Sequence, residues 1–375
     1  MRVTHTSFHQ DPDHRQPYAL LDAWPTLLGV ASAVVRAGVE TSIVQGSAHD
    51  AIIRRDGVQA EFVSTQRSDG SMGTGLVRAP RRLLEAVKRT KPDVVHVNGL
   101  QYPLAIRDLI AAVPGIPVIV QDHASYPPRG WRRHVWRLAL RRVAGVAFTV
   151  REQAAAFVAA GALGAATPTF TVLEGSSTFT NGDQDTARAA CGLHGDPCVL
   201  WTGHLDANKD PLTILSAFER ATPRLDDARL WCCFGTAPLL DAVQQRIERS
   251  PALRERVTLL GRQPHAMMET MFRAADFFVQ GSHREGCSYS SIEALACGTP
   301  PLVTDLPSSR RIVGDAGSLT PVGDADALAD AIVNWARRDR ASGRRAARAR
   351  FERELSFDVI GRDLRGMYER LVRPS

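Results

Sequence analysis

Short apolar runs alternate along this chain with longer stretches whose apolar positions recur at helical spacing. In the first half the runs fall at residues 3–7, 40–45, 61–64, 94–98, 118–121 and 145–150, and helical segments lie between them, among them 24–36, 80–88 and 131–143. A strand buried on both faces reads as a continuous apolar run, and parallel neighbours need a crossover helix, so the alternation predicts a doubly wound α/β domain. A second series at 198–202, 229–234, 257–260, 277–280, 301–304 and 317–319 predicts another of the same kind. Beyond Pro321 the pattern turns helical over 325–338, 341–354 and 357–372. In the last of these Val359, Ile360, Leu364, Met367, Tyr368, Leu371 and Val372 share one face, so that helix is expected to pack. Between the two series the stretch 161–169 is rich in Ala, Gly, Thr and Pro, and a short run at 171–173 leads into polar residues 175–185. The hinge is expected there, which sets the domains at 1–173 and 174–355, with the terminal helix at 356–375.

Length agrees with two domains: 375 residues suit a pair of roughly 150–200 each. No apolar run approaches the roughly 18–20 residues of a membrane span. The first residues carry neither an apolar leader core nor a small-residue cleavage site, from which a cytoplasmic location is expected. Cys191, Cys198, Cys232, Cys233, Cys287 and Cys297 have neither metal-ligand nor disulfide-framework spacing, so reduced thiols, no zinc and no disulfide are expected. Charge is uneven. Residues 1–173 hold 20 Lys and Arg against 13 Asp and Glu, whereas 174–375 hold 26 against 27. Only three of the 46 basic residues are lysine, so arginine is the general cation of this chain. The aromatic-interleaved basic motifs of RNA-binding modules are missing, which speaks against nucleic acid. The basic segment 131–143 reads either as a crossover helix with a solvated arginine face or as a contact with anionic lipid at the inner membrane face.

The most informative stretch is 282–300, Ser-His-Arg-Glu-Gly-Cys-Ser-Tyr-Ser-Ser-Ile-Glu-Ala-Leu-Ala-Cys-Gly-Thr-Pro. It follows the run 277–280 and opens a helix near Tyr289 or Ser290. A strand-to-helix junction presents unpaired N–H groups and a positive helix end, both suited to phosphate. Gly286 permits close backbone approach, Cys287, Ser288 and Tyr289 bring the N–H groups, and Glu285 and Glu293 supply carboxylates that accept hydrogen bonds from sugar hydroxyls. A second reading stays open at this level: Ser290-Ser-Ile-Glu293 also fits a capping box.

This stretch resembles the E-x7-E motif of the retaining GT-B glycosyltransferases of the large group-1 (GT4-type) family, with the following A-L-A-x-G-x-P matched by Ala294, Leu295, Ala296, Gly298 and Pro300. The resemblance implies two facing Rossmann-like domains, with the terminal helix crossing back to the first. It places Glu293 on the donor ribose and Glu285 beside the donor sugar. Trp201-Thr-Gly203-His204-Leu-Asp-Ala-Asn-Lys209 is similar to the family's G-R-L-x3-K segment, which implies that Lys209 meets the donor diphosphate. His204 departs from the usual arginine there and offers one donor instead of a charged fork. Phe234-Gly235-Thr-Ala-Pro238 stands where the family has a G-x-G-P turn, and Arg262 lies in the loop that reads the nucleobase. Ala274-Ala-Asp276 and Ser282 also fit.

The first half is matched more loosely. Residues 91–98 resemble a P-D-V-V-H-x-H strand, with Asn98 for the second histidine. Residues 118–123 resemble the strand and turn whose histidine, here His123, approaches the donor sugar and reaction centre. The family's glycine pair after the first strand is replaced by residues 10–17. Asp11-Pro-Asp13 has the D-x-D form of metal-dependent transferases but sits in an N-terminal loop. The resemblance therefore implies a retaining hexosyltransferase using a nucleotide diphosphate-sugar, a UDP-sugar first among them, as co-substrate, with no resident cofactor and no metal. His123, Lys209 and Glu285 are its expected catalytic residues. A GT-B phosphorylase or epimerase, and a sugar-nucleotide-binding regulatory protein without activity, remain alternatives.

Overall fold

The computed structural model describes residues 1–65 and 76–372. The chain divides into two units, Met1–Ser176 with Phe357–Ser375, and Ser177–Ser356.

The first unit runs β1 (Arg2–Ser7), α1 (Pro17–Ala23), α2 (Pro25–Arg36), β2 (Glu40–Ser47), β3 (Ala51–Arg55), β4 (Val58–Ser64), α3 (Arg81–Arg89), β5 (Val94–Asn98), α4 (Pro103–Ala112), β6 (Val118–Gln121), α5 (Arg132–Leu140), β7 (Gly145–Phe148), α6 (Arg151–Ala159) and β8 (Thr169–Thr171). Its sheet has the order β3-β4-β2-β1-β5-β6-β7-β8 and is parallel except at the β3–β4 pair. Every residue of β6 and β7 is buried, as an apolar run between two helical layers requires. The chain moves from β1 to β2 on one side and returns at β5 on the other, so β1 and β5 flank a switch point, where strand ends open a crevice.

Three sequence expectations shift. The helix expected at 24–36 is α2, opening one residue later, and a further helix, α1, precedes it; the two part at Trp24, because Pro25 has no N–H to continue a turn and holds the residue before it out of the helical region. The run 61–64 is the end of the longer β4, and its partner β3 lies at the sheet edge with most of its residues outside the core. The strand expected at 171–173 lies two residues earlier, as β8.

The second unit comprises α7 (Gln184–Cys191), β9 (Cys198–Gly203), α8 (Pro211–Ala221), β10 (Arg229–Phe234), α9 (Leu240–Glu248), α10 (Pro251–Arg256), β11 (Val257–Gly261), α11 (His265–Ala274), β12 (Phe277–Gln280), α12 (Tyr289–Ala296), β13 (Pro301–Thr304), α13 (Pro307–Val313), β14 (Ser318–Thr320), α14 (Ala325–Ala336) and α15 (Arg340–Glu354). The sheet β11-β10-β9-β12-β13-β14 is parallel throughout. Its switch point lies between β9 and β12. Asp276, just before β12, accepts from the Cys198 N–H at 2.7 Å and pairs with Arg188 of α7 at 3.0 Å, which locks the starts of both strands. Burial pushes the Cys198 and Cys233 thiols up to about 12, so they behave as small core side chains.

The final helix, α16 (Phe357–Val372), belongs to the first unit and lies across α2. The crossing is closed by glycines. A Cβ on Gly361 would run into the Ala33 carbonyl, and one on Gly29 would stand 2.6 Å from the Phe357 ring. Among the described residues, no single helix is long and apolar enough to cross a membrane.

Candidate functional site

In the second unit the expected donor residues gather at the carboxyl ends of β9, β10 and β12. Gly203 ends β9, and a side chain there would press on the Lys209 stem 3.3 Å away, so the glycine lets that stem lie over the strand end. Asp206 accepts from the Lys209 N–H at 2.8 Å and fixes the loop. The Lys209 ammonium then reaches Glu285 Oε1 at 2.5 Å, and the Gln280 amide donates to the same oxygen at 3.1 Å. Both partners are largely buried. Lys209 has two further N–H donors, so its charge is held in place without being used up.

Helix α12 begins at Tyr289, with Ser288 as its N-cap residue. The Ser288 hydroxyl is turned away from the helix N–H groups, to Gln280 Oε1 and Ser291 Oγ, both at 2.9 Å. The Ser288 side chain makes no cap hydrogen bond to this helix start, and Gly286, Cys287 and Ser288 are buried. A hydroxyl pair at 3.1 Å, Thr202 with Ser290, ties α12 to β9. The capping-box reading of Glu293 is therefore corrected: Ser290 is inside the helix, and Glu293 Oε1 lies 3.2 Å from His265 Nε2 at the start of α11. The Glu293 contact raises the His265 pKa above its ordinary value, against desolvation.

His204, Gly235 and Arg262 form a further group. A Cβ on Gly235 would lie 3.3 Å from the His204 ring and 3.7 Å from the Arg262 guanidinium. His204 Nδ1 accepts from the Thr236 N–H at 3.2 Å, which leaves Nε2 as the ring nitrogen this contact does not use.

His123 belongs to the first unit, two residues beyond β6. Its Nδ1 lies 2.9 Å from Glu174 Oε2, and the Glu174 side chain is 5% exposed. Sequence reasoning missed both Glu174 and His265. Neither stands in a motif; the fold brings each to a residue that does. Asp11 and Asp13, the D-x-D pair, are both engaged by Arg15.

Residues 23–172 match the family described as glycosyl transferase 4-like domain, and residues 196–338 match glycosyl transferases group 1. The chain belongs to the group 1 glycosyltransferases. The D-inositol 3-phosphate glycosyltransferase of Mycobacterium tuberculosis is 33% identical over 196 residues, covering 48% of this chain and 40% of the relative. The chain thus spans about two fifths of the length of the curated relatives it matches. Solved structures show the GT-B fold. Sucrose-phosphate synthase from Thermosynechococcus elongatus aligns with a TM-score of 0.70 at 19% identity, covering 99% of this chain and 98% of that one. Anabaena HepE in complex with UDP and glucose aligns at 0.69 and 18%, covering 98% and 99%. The catalytic domain of starch synthase IV from Arabidopsis thaliana, bound to ADP and acarbose, aligns at 0.69 and 13%, covering 99% of each. Within this family frame the two matched regions correspond to the two units, and the E-x7-E helix lies inside the second.

Proposed function

We propose that this group 1 glycosyltransferase moves a hexosyl unit from a nucleotide diphosphate-sugar to a hydroxyl acceptor with retention of anomeric configuration, the second unit holding the donor. The observation that carries the reading is the Lys209–Glu285 pair beside the start of α12, at the switch point of the second sheet. A diphosphate placed there meets an ammonium and the positive end of α12, while Glu285 and Glu293 face hydroxyls. As the glycosidic C–O bond breaks, negative charge grows on the departing phosphate, and fixed donors stabilise it without reorganising. An acceptor hydroxyl then attacks the same face of the sugar and gives its proton to that phosphate oxygen. His123 orients the sugar and acceptor, with Glu174 fixing its ring. Lys209 and the helix end take the part a divalent metal plays elsewhere. Relatives of this fold have been solved with UDP and with ADP, which supports a nucleotide in the same role here.

Calorimetric titration of UDP-, GDP- and ADP-sugars into wild type and Glu293→Ala, each with EDTA and with magnesium, tests the reading. One nucleotide class is expected to bind without metal, and the variant is expected to bind it about 10–100-fold less tightly, as loss of a charged hydrogen-bonding partner implies. Equal affinity in the variant removes the ribose assignment. Binding only with magnesium removes the metal-free mechanism.

A further inference from the structure

The nucleotide-sugar site makes no use of the surface formed by α4 and α5. From Ala124 through Arg151 the chain carries seven arginines and one histidine and no aspartate or glutamate. Helix α5 buries Trp136, Ala139 and Leu140 and turns Arg132, Arg133 and Arg137 to solvent, with Arg141 and Arg142 exposed just beyond it. Trp131 and Leu138, 65% and 58% exposed, stand among these charges. Between α4 and α5 runs a groove of about 240 Å³ lined by Arg107, Ile110, Leu138, Arg141 and Arg142 among others, and no acidic side chain lines it.

An arginine-rich chain has many surface guanidinium groups, so the comparison that matters is with another arginine-rich helix. On α15, Arg340, Arg348, Arg350 and Arg353 all meet carboxylates. Among the described residues, none of Arg132, Arg137, Arg141 and Arg142 has a carboxylate partner. Those four charges on α15 are paired within the fold; the four on and just beyond α5 are left for something outside it. Unbalanced guanidinium groups interleaved with an exposed tryptophan and leucine match the layered chemistry of a bilayer surface, where phosphates lie above an acyl boundary. A nucleic acid would satisfy the arginines but leave Leu138 in water.

We propose that the α4–α5 face of the first unit is a docking surface for anionic phospholipid bilayers. Arg132, Arg137, Arg141 and Arg142 meet headgroup phosphates, Arg107 closes the groove, and Trp131 and Leu138 enter the boundary with the acyl chains.

The test is co-sedimentation of the full chain with vesicles of phosphatidylcholine alone and of phosphatidylcholine with phosphatidylglycerol, at low and high sodium chloride. Binding is expected only to vesicles with phosphatidylglycerol, weakening as salt rises. The triple variant Arg137→Gln/Arg141→Gln/Arg142→Gln should bind about 100-fold less tightly. Arg345→Gln on α15 should bind as wild type does, and all variants should keep the wild-type melting temperature. Trp131→Phe should lose the blue shift of tryptophan emission seen when vesicles are added. Equal binding to both vesicle types, no binding to either, or a triple variant that binds as wild type does overturns the proposal. So does capture of a short RNA by these arginines with no vesicle binding.

Discussion

His123 Nδ1 lies 2.9 Å from Glu174 Oε2, so a histidine and a carboxylate 51 positions apart in sequence form one unit of charge. Desolvation works against a charged ring. The Glu174 contact, together with the charges of Glu174 and Asp122, outweighs it and raises the His123 pKa above 6.5. With the folded value above the unfolded one, the contribution to stability is complete below pH 6.5 and disappears as pH rises through the raised value. Glu174→Gln should therefore cost stability mainly on the acid side. Urea unfolding of both proteins at several pH values checks this, and the wild-type advantage should shrink towards alkaline pH. A gap that does not change with pH means the ring is neutral in the fold.

Lys209 approaches Glu285, and the proposed leaving group forms beside its ammonium. Charge on the diphosphate is greater in the transition state than in the bound donor, so Lys209→Met should lower kcat by about 10²–10³-fold and change donor affinity less. Steady-state kinetics with calorimetry separate the two. A variant with weakened donor binding and normal kcat would reduce Lys209 to a prop for Glu285.

His5 and His96 stand side by side on β1 and β5, their rings 4.7 Å apart, and both meet the Tyr368 hydroxyl, His96 at 2.5 Å and His5 at 3.3 Å. Burial lowers His5 from 6.5 to about 4, and burial together with the neighbouring His5 and His123 lowers His96. Here the folded value is the depressed one. Unfolded histidines take up protons below pH 6.5 while the buried ones stay neutral, so stability is lost between pH 6.5 and about 4. For His5 the loss is on the order of 3 kcal/mol. His5→Gln should flatten the acid limb of a stability–pH curve, and an unchanged limb would assign acid sensitivity to other groups.

Gly361→Ala puts a methyl against the Ala33 carbonyl where α16 crosses α2. Overpacking of this kind costs about 1–3 kcal/mol. Denaturant titration should show it, while Gly366→Ala, with open space around it, serves as the control on the same helix.

The order of strands and helices was legible because each central strand is a separate apolar run, and α16 was legible to the residue because its apolar face is regular. The edge strand β3 was not, since Ile52-Ile53-Arg54-Arg55 neither alternates apolar with polar residues nor forms a continuous apolar run. Helix α4 carried no assignment although its Pro103 start is a standard helix opening. At the candidate site, local spacing named Glu285, Glu293 and Lys209. It said nothing of the Lys209–Glu285 contact across 76 residues, nor of Glu174 and His265, because such pairs are set by which strand ends lie together. Removing the capping-box reading of Glu293 also needed coordinates, since it turns on a shift of the helix start by two residues.

The first unit is discontinuous in sequence, and this has a consequence for synthesis. The surface of α2 that α16 covers, with the Tyr368 hydroxyl between His5 and His96, stays open until residues 357–372 leave the ribosome. The second unit is one unbroken segment and can close by itself before that. On a growing chain the part that begins first is therefore the part that finishes last, and a nascent chain stalled before residue 357 would carry one completed lobe and one with its last helix missing.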